Sequence, residues 1–200
     1  KTAPAFFAKK KQEEAAAERE TEKRKAASAE MLEKLIQENY IFVDISSLLE
    51  PAGERALMLM LPLLKKYGKK LYISYSVLRQ MTEEASDQSD PKRAELCGQR
   101  VDALKKLQEM GLVDIRAFSK DDNPARDLMT ACAHFRITNP LLVITQDKKL
   151  AEDLVRLNYQ KAANGKSVTV KRVNKYGYLS NLIARQGKAF YVCDKVRETP

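Results

Sequence analysis

The sequence predicts an α/β domain, a three-layer fold on a parallel sheet preceded by a long N-terminal helix. Ile41-Phe42-Val43 and Leu141-Leu142-Val143-Ile144 are unbroken apolar runs, the pattern of strands buried on both faces of a parallel sheet. Stretches with helical apolar spacing lie between the apolar runs, as βαβ units require. Residues 9–38 are rich in Ala, Glu, Lys and Arg and hold neither Pro nor Gly.

Taken in order, residues 9–38 read as a solvent-exposed helix, with Glu20/Arg24 and Glu30/Lys34 as favourable i,i+4 pairs. Only Met31, Leu32, Leu35 and Ile36 give it an apolar face able to dock. Without a sustained heptad it is expected to be a linker or an arm for a protein partner, and its loss to leave the core's unfolding within a few degrees. The predicted organisation is therefore a charged helical extension over 1–38, a domain over 39–190 and a tail over 191–200.

The first strand spans 40–44, and a helix over 54–67 ends at Gly68, a left-handed terminator. Leu71-Tyr72-Ile73 is the second strand, and a helix follows from about Ser76 to Ala85. After a polar turn over 86–91, a helix from Lys92 to Met110 turns Leu96, Val101, Leu104, Leu107 and Met110 inward and closes at Gly111. Residues 113–117 form the third strand. Asn123 caps a helix that opens at Pro124 and runs to about Arg136. The fourth strand is 141–145, a helix covers 148–157, and the fifth strand is 168–173. Residues 176–184 are expected to form a short helix or a turn.

The chain has 200 residues, 44% of them apolar, which suits one domain plus an extension. Its formal net charge is +9, and nine Lys/Arg against Asp194 and Glu198 place most of that excess in residues 160–200. This is either an ordinary solvated surface or a footprint for an anionic partner. Cys97, Cys132 and Cys193 are scattered and odd in number, which argues against a disulfide framework or a zinc site and fits the reducing cytoplasm. No apolar run is long enough for a bilayer, so no membrane is expected, and no signal-peptide pattern is visible. A P-loop is excluded by the lack of GxxxxGK, and acid–base cleavage by two histidines by the presence of His134 alone, which reads as a structural residue in a helix.

The chemistry therefore rests on carboxylates. Asp44 closes the first strand, Asp147 closes the fourth, and Asp127 lies one turn into the helix after Pro124. Carboxylates gathered at one sheet edge repel one another unless a cation intervenes, and such oxygen ligands select Mg²⁺ or Mn²⁺. An ion held there would polarise a phosphodiester and activate water. Each residue also has a plain structural role: Asp44 and Asp147 as helix caps, Asp127 as a helix N-terminal charge, Glu83 and Glu84 as solvated helix positions, and Asp87, Asp90, Asp121 and Asp122 as loop carboxylates.

Val43-Asp44-Ile45-Ser46-Ser47-Leu48-Leu49, Val77-Leu78-Arg79-Gln80-Met81, Asp127-Leu128-Met129-Thr130-Ala131 and Val143-Ile144-Thr145-Gln146-Asp147-Lys148-Lys149-Leu150-Ala151 resemble, in order, the four motifs of the PIN domain family over residues 40–173. The resemblance implies a PIN-like parallel-sheet domain and an Mg²⁺/Mn²⁺-dependent nuclease acting on single-stranded or structured RNA. It implies Asp44, Asp127 and Asp147 as metal ligands and Thr145 as the site hydroxyl.

Two positions depart from the family pattern. Gln80 stands where an acidic residue is usual, and Ser46 where Asn is frequent. Glu83 and Glu84, three and four positions on along the same helical face, are the candidates for the missing charge, Glu84 the better placed by spacing. With Ser46, the basic residues Lys148, Lys149, Lys171, Arg172 and Lys175 are candidates for contacts to the nucleic-acid backbone, as is Lys166, and Tyr176 and Tyr178 for stacking or for packing. The rival expectation is a PIN-like module with weakened or lost catalysis that binds RNA or a protein. A receiver-like signalling domain would need an acidic pair at the first Asp, where Val43 and Ile45 stand instead.

Overall fold

Odd and even positions of the central strands face opposite layers of the core. The computed structural model describes residues 3–120, 122–159, 165–186 and 189–192. Helix α1 (Ala3–Glu38) leads into β1 (Tyr40–Val43), α2 (Ile45–Leu48), α3 (Gly53–Tyr67), β2 (Leu71–Ser74), α4 (Tyr75–Ala85), α5 (Pro91–Glu109) and β3 (Val113–Arg116). Next come α6 (Pro124–Phe135), β4 (Leu141–Ile144), α7 (Lys148–Arg156), a 3-10 turn (Leu157–Tyr159), β5 (Val168–Val173), β6 (Leu179–Asn181), β7 (Ile183–Gln186) and β8 (Ala189–Val192). The expected α/β class is present, with a mostly parallel sheet and a long N-terminal helix.

The six-stranded sheet has the order β3-β2-β1-β4-β5-β6; all neighbours are parallel except β5 and β6. Ile41, Val43, Leu142 and Ile144 pack against α1, α3, α4 and α5, while Phe42, Leu141 and Val143 pack against α6 and α7. Two helical layers therefore enclose the sheet, which explains why β1 and β4 are apolar at every position. On the second face Tyr40, Phe42, Tyr72, Phe118 and Phe135 form an aromatic cluster with ring centroids 5.4–6.4 Å apart. His134 sits exposed near the end of α6, edge-on to Phe135.

The N-terminal helix docks only at its end. Leu32 and Ile36 are in the core, Leu35 is half-buried, and Met31 is exposed. Glu33 accepts hydrogen bonds from Lys66 Nζ at 2.6 Å and Tyr67 Oη at 2.5 Å. Apart from the half-buried Thr21 and Ser28, residues 16–30 are exposed. The expected apolar face therefore docks through Leu32, Leu35 and Ile36, with Met31 left exposed.

One expectation is corrected at the end of α5. Met110 is 55% exposed because α5 ends there: Gly111, at φ 73°, turns the chain so that Leu112 takes the buried place, with Leu112 N–H donating to Leu107 O at 2.9 Å. Of the two alternatives for residues 176–184, the structure takes the turn, and only at its start, the rest being largely strand. Asn174 Oδ1 accepts from the N–H groups of Tyr176 and Tyr178, Gly177 at φ 85° closes the turn, and the chain returns as β6. Strand β8 continues to Val192, past the expected boundary at 190; the rest of the predicted tail, with Cys193, lies outside the described residues. Among the described residues no helix is long and apolar enough to cross a membrane.

Ile36 is 0% exposed, so Ile36→Ala is expected to cost about 2–5 kcal/mol in urea unfolding. Arg24→Ala removes a solvent-exposed pair with Glu20 and is expected to change stability by less than about 1 kcal/mol. Equal effects would contradict the docking of the helix end.

Candidate functional site

In an open parallel sheet, ligands collect at the strands' C-terminal ends where the strand order reverses. Here that point lies between β1 and β4. The register Val43↔Ile144 brings Asp44 and Thr145 side by side, and Asp44 N–H donates to Ile144 O at 3.0 Å.

Asp44 caps α2 from an extended backbone (φ −87°, ψ 155°), and its Oδ2 accepts from Ser46 N–H at 3.2 Å. The same oxygen accepts from Ser46 Oγ and, at 3.0 Å, from Thr145 Oγ1. Each hydroxyl in turn accepts a backbone N–H from the β4–α7 connection: Ser46 Oγ that of Gln146 at 2.9 Å, and Thr145 Oγ1 that of Asp147 at 3.0 Å. One carboxylate oxygen thus fastens the connections after β1 and β4 to each other. Asp44 is 3% exposed and has no ion-pair partner among the described residues.

Asp127 forms a second buried centre, 1% exposed, in the first turn of α6. Its Oδ1 accepts from Ser119 Oγ at 2.7 Å, and its Oδ2 accepts from Ser74 Oγ and from Ser76 Oγ at 3.2 Å. Ser74 also caps α4, taking Ser76 N–H at 3.1 Å. Asp127 likewise has no ion-pair partner among the described residues. These three serines were not singled out from the sequence. Their signal is positional, since Ser74-Tyr75-Ser76 stands at the end of β2 much as Asp44-Ile45-Ser46 stands at the end of β1.

Asp147 is exposed. Its Oδ1 caps α7 by accepting Leu150 N–H at 3.0 Å, and the residue lines a cavity of about 630 Å³ with Arg126, Met129, Lys149 and Asp153. The structure therefore joins Asp44, Ser46, Thr145 and the backbone of Asp147 in one network and places Asp127 in another. Among the described residues no three acidic, His or Cys side chains form a group able to hold a metal ion.

Glu84 turns to α5. It accepts from Arg93 Nε at 2.7 Å, from Gln80 Nε2 at 2.9 Å and from Cys97 Sγ at 3.4 Å. Arg93 above all, then Gln80 and Cys97, hold its carboxyl below the usual range, against the opposing effect of burial. Burial is the main reason the Cys97 thiol is pushed up to about 11.

The basic candidates separate. Lys148, Lys149 and Lys175 are exposed, Lys175 with its ammonium 5.2 Å from the centre of the Tyr176 ring. Lys171 is half-buried, bonded to Asn181 Oδ1 at 2.7 Å, and burial lowers its pKa. Arg172 has its Nε and Nη2 buried with no hydrogen-bond partner among the described residues.

No protein-family model, curated protein or solved structure matches this chain.

The Glu84–Arg93 pair sets a pH dependence. A carboxyl depressed below its ordinary 4.5 adds stability above that pH and loses it as pH falls through the folded-state value. Because Arg93 is half exposed, Glu84→Gln is expected to cost about 1 kcal/mol at pH 7, with the gap to wild type closing below pH 4.5. Denaturant unfolding across pH 3–7 checks this; a pH-independent gap would contradict the pair.

Proposed function

We propose that this chain is a PIN-like endoribonuclease that hydrolyses RNA phosphodiesters with Mg²⁺ or Mn²⁺ held at Asp44 and Asp127. The observation that carries this reading is the pair of nearly fully buried carboxylates with hydroxyl and N–H donors but no cationic side chain. An ionised carboxylate removed from water is costly unless a counter-charge or full hydrogen bonding offsets it. Hydroxyl and carboxylate oxygens are the donor set of a hard divalent cation, so the residues present fit such an ion in kind.

When bound, the ion supplies Lewis-acid polarisation of the phosphate and a more acidic water. The chain's own residues do the positioning. Ser46 and Thr145 fix Asp44 with their hydroxyl protons. Ser74, Ser76 and Ser119 hold Asp127, and the Asp147 oxygen not used in capping α7 remains as a third donor at the rim. Lys148 and Lys149, at the start of α7, offer cations to the RNA backbone beside the switch point.

A second reading, a non-catalytic module that binds RNA or a protein with α1 as its docking arm, draws on Gln80 and Glu84. The second motif contributes an amide in place of a carboxylate, and the nearest acid is engaged by Arg93.

The test is cleavage of a labelled, mostly single-stranded RNA with Mn²⁺, with Mg²⁺ and with EDTA, using wild type and Asp44→Asn. The expected result is metal-dependent cleavage that Asp44→Asn abolishes. Inert proteins that still retain the RNA on a gel would replace this reading with the binding module.

A further inference from the structure

Next to Asp127 lies a cavity of about 190 Å³ whose lining includes Tyr75, Arg79, Ser119, Lys120 and Asp122. Apart from Ser119, which holds Asp127, these lining residues take part in no interaction described so far. Tyr75 is the first residue of α4 and is 54% exposed. It makes no ring–ring contact among the described residues, unlike Tyr40 and Tyr72, which stack at 5.5 Å inside the aromatic cluster. Arg79 stands one helical turn after Tyr75, on the same side of α4.

Ala117, Ser119, Lys120 and Asp122 line the cavity from the other side, and the segment is held at three points. Phe118 packs edge-on to Phe42 and Phe135, Ser119 donates to Asp127, and Asp122 receives Arg79. Arg79 Nη1 donates to Asp122 Oδ1 at 2.6 Å and Nη2 to the Asp122 carbonyl at 3.2 Å. The Asp122 side chain is 81% exposed, so this partner is water-screened and readily exchanged for another anion. A phosphate offers the same paired acceptors to a guanidinium, with more charge. Lys120, exposed at the rim, adds a second cation.

The geometry points to a nucleotide subsite of single-stranded RNA in this cavity, with one base stacked on Tyr75 and its phosphate held by Arg79 in place of Asp122. The inference rests on the reading that RNA reaches Asp127, and it adds the side from which the strand enters. An exposed tyrosine supplies a flat face that any base can use, so the subsite fixes the position of the strand without fixing its sequence. Phosphate bound to Arg79 would place a backbone segment beside the carboxylate that Ser74, Ser76 and Ser119 hold.

The experiment is anisotropy of a fluorescent single-stranded RNA in EDTA, where no metal-dependent cleavage occurs, across a salt series. Wild type, Tyr75→Phe, Tyr75→Ala and Arg79→Ala are compared. Tyr75→Ala is expected to weaken binding roughly fivefold to 150-fold, and Tyr75→Phe to keep it, since only the ring face is used. Arg79→Ala is expected to lower the slope of log affinity against log salt by about 0.7, the loss of one phosphate contact. Wild-type affinity in Tyr75→Ala with an unchanged slope in Arg79→Ala would overturn the subsite. A protein that binds RNA in a Tyr75-dependent way yet cleaves nothing keeps the subsite and removes the nuclease; a nuclease whose affinity ignores Tyr75 and Arg79 removes the subsite alone. Absence of any RNA binding overturns both.

Discussion

The structure depends on one carboxylate oxygen. Asp44 Oδ2 takes hydroxyl protons from Ser46, two residues away, and from Thr145, 101 residues away in the chain. Both hydroxyls in turn accept backbone N–H groups of the β4–α7 connection. This cross-link sits where the two halves of the sheet meet, and every other feature of the site is placed relative to it. Parallel pairing of β1 and β4 in the observed register is what makes it possible. A one-residue slip would turn every side chain of one strand to the opposite layer and break the alternation that builds the two-faced core.

The resulting site is two buried carboxyl centres in place of one acidic cluster. Around Asp44 the donors come from α2 and from the residue after β4; around Asp127 they come from the end of β2, the start of α4 and the segment after β3. Hydroxyl donors leave carboxylate oxygens with lone pairs still to offer, which a guanidinium partner would have occupied. Among the described residues Glu84, Asp114 and Glu33 each meet a Lys or Arg, and Asp44 and Asp127 do not. That difference supports assigning a cation to the second group and structural roles to the first.

Most of the fold was legible because it rests on strong local signals. Continuous apolar runs marked β1 and β4, Gly68 and Gly111 ended their helices with positive φ, and Asn123 capped α6. The β5–β6 hairpin was not legible, since its turn is closed by the Asn174 side chain and Gly177 amid tyrosines with no repeating pattern. At the site, Asp44 was legible from its strand end, whereas Ser46 and Thr145 were pointed to by the motif resemblance alone. The serines around Asp127 were missed because single hydroxyls carry little signal until the fold brings three of them to one carboxylate. Glu84 was placed by helical spacing alone, and spacing could not show that Arg93, on the next helix, would engage it. Lys171 and Arg172 counted as basic surface in the sequence, but alternation on β5 turns them to opposite faces and half-buries both.

The central claim is that the buried, unpaired carboxylates hold a divalent cation, and thermal unfolding against Mn²⁺ concentration tests it most directly. A ligand that binds only the folded state adds about 2.7 kcal/mol when present at one hundred times its Kd, so the midpoint should rise steadily with Mn²⁺ in the wild type. It should stay flat in Asp44→Asn and in Asp127→Asn. A wild-type midpoint that ignores Mn²⁺, or one that rises equally in both variants, would contradict the account.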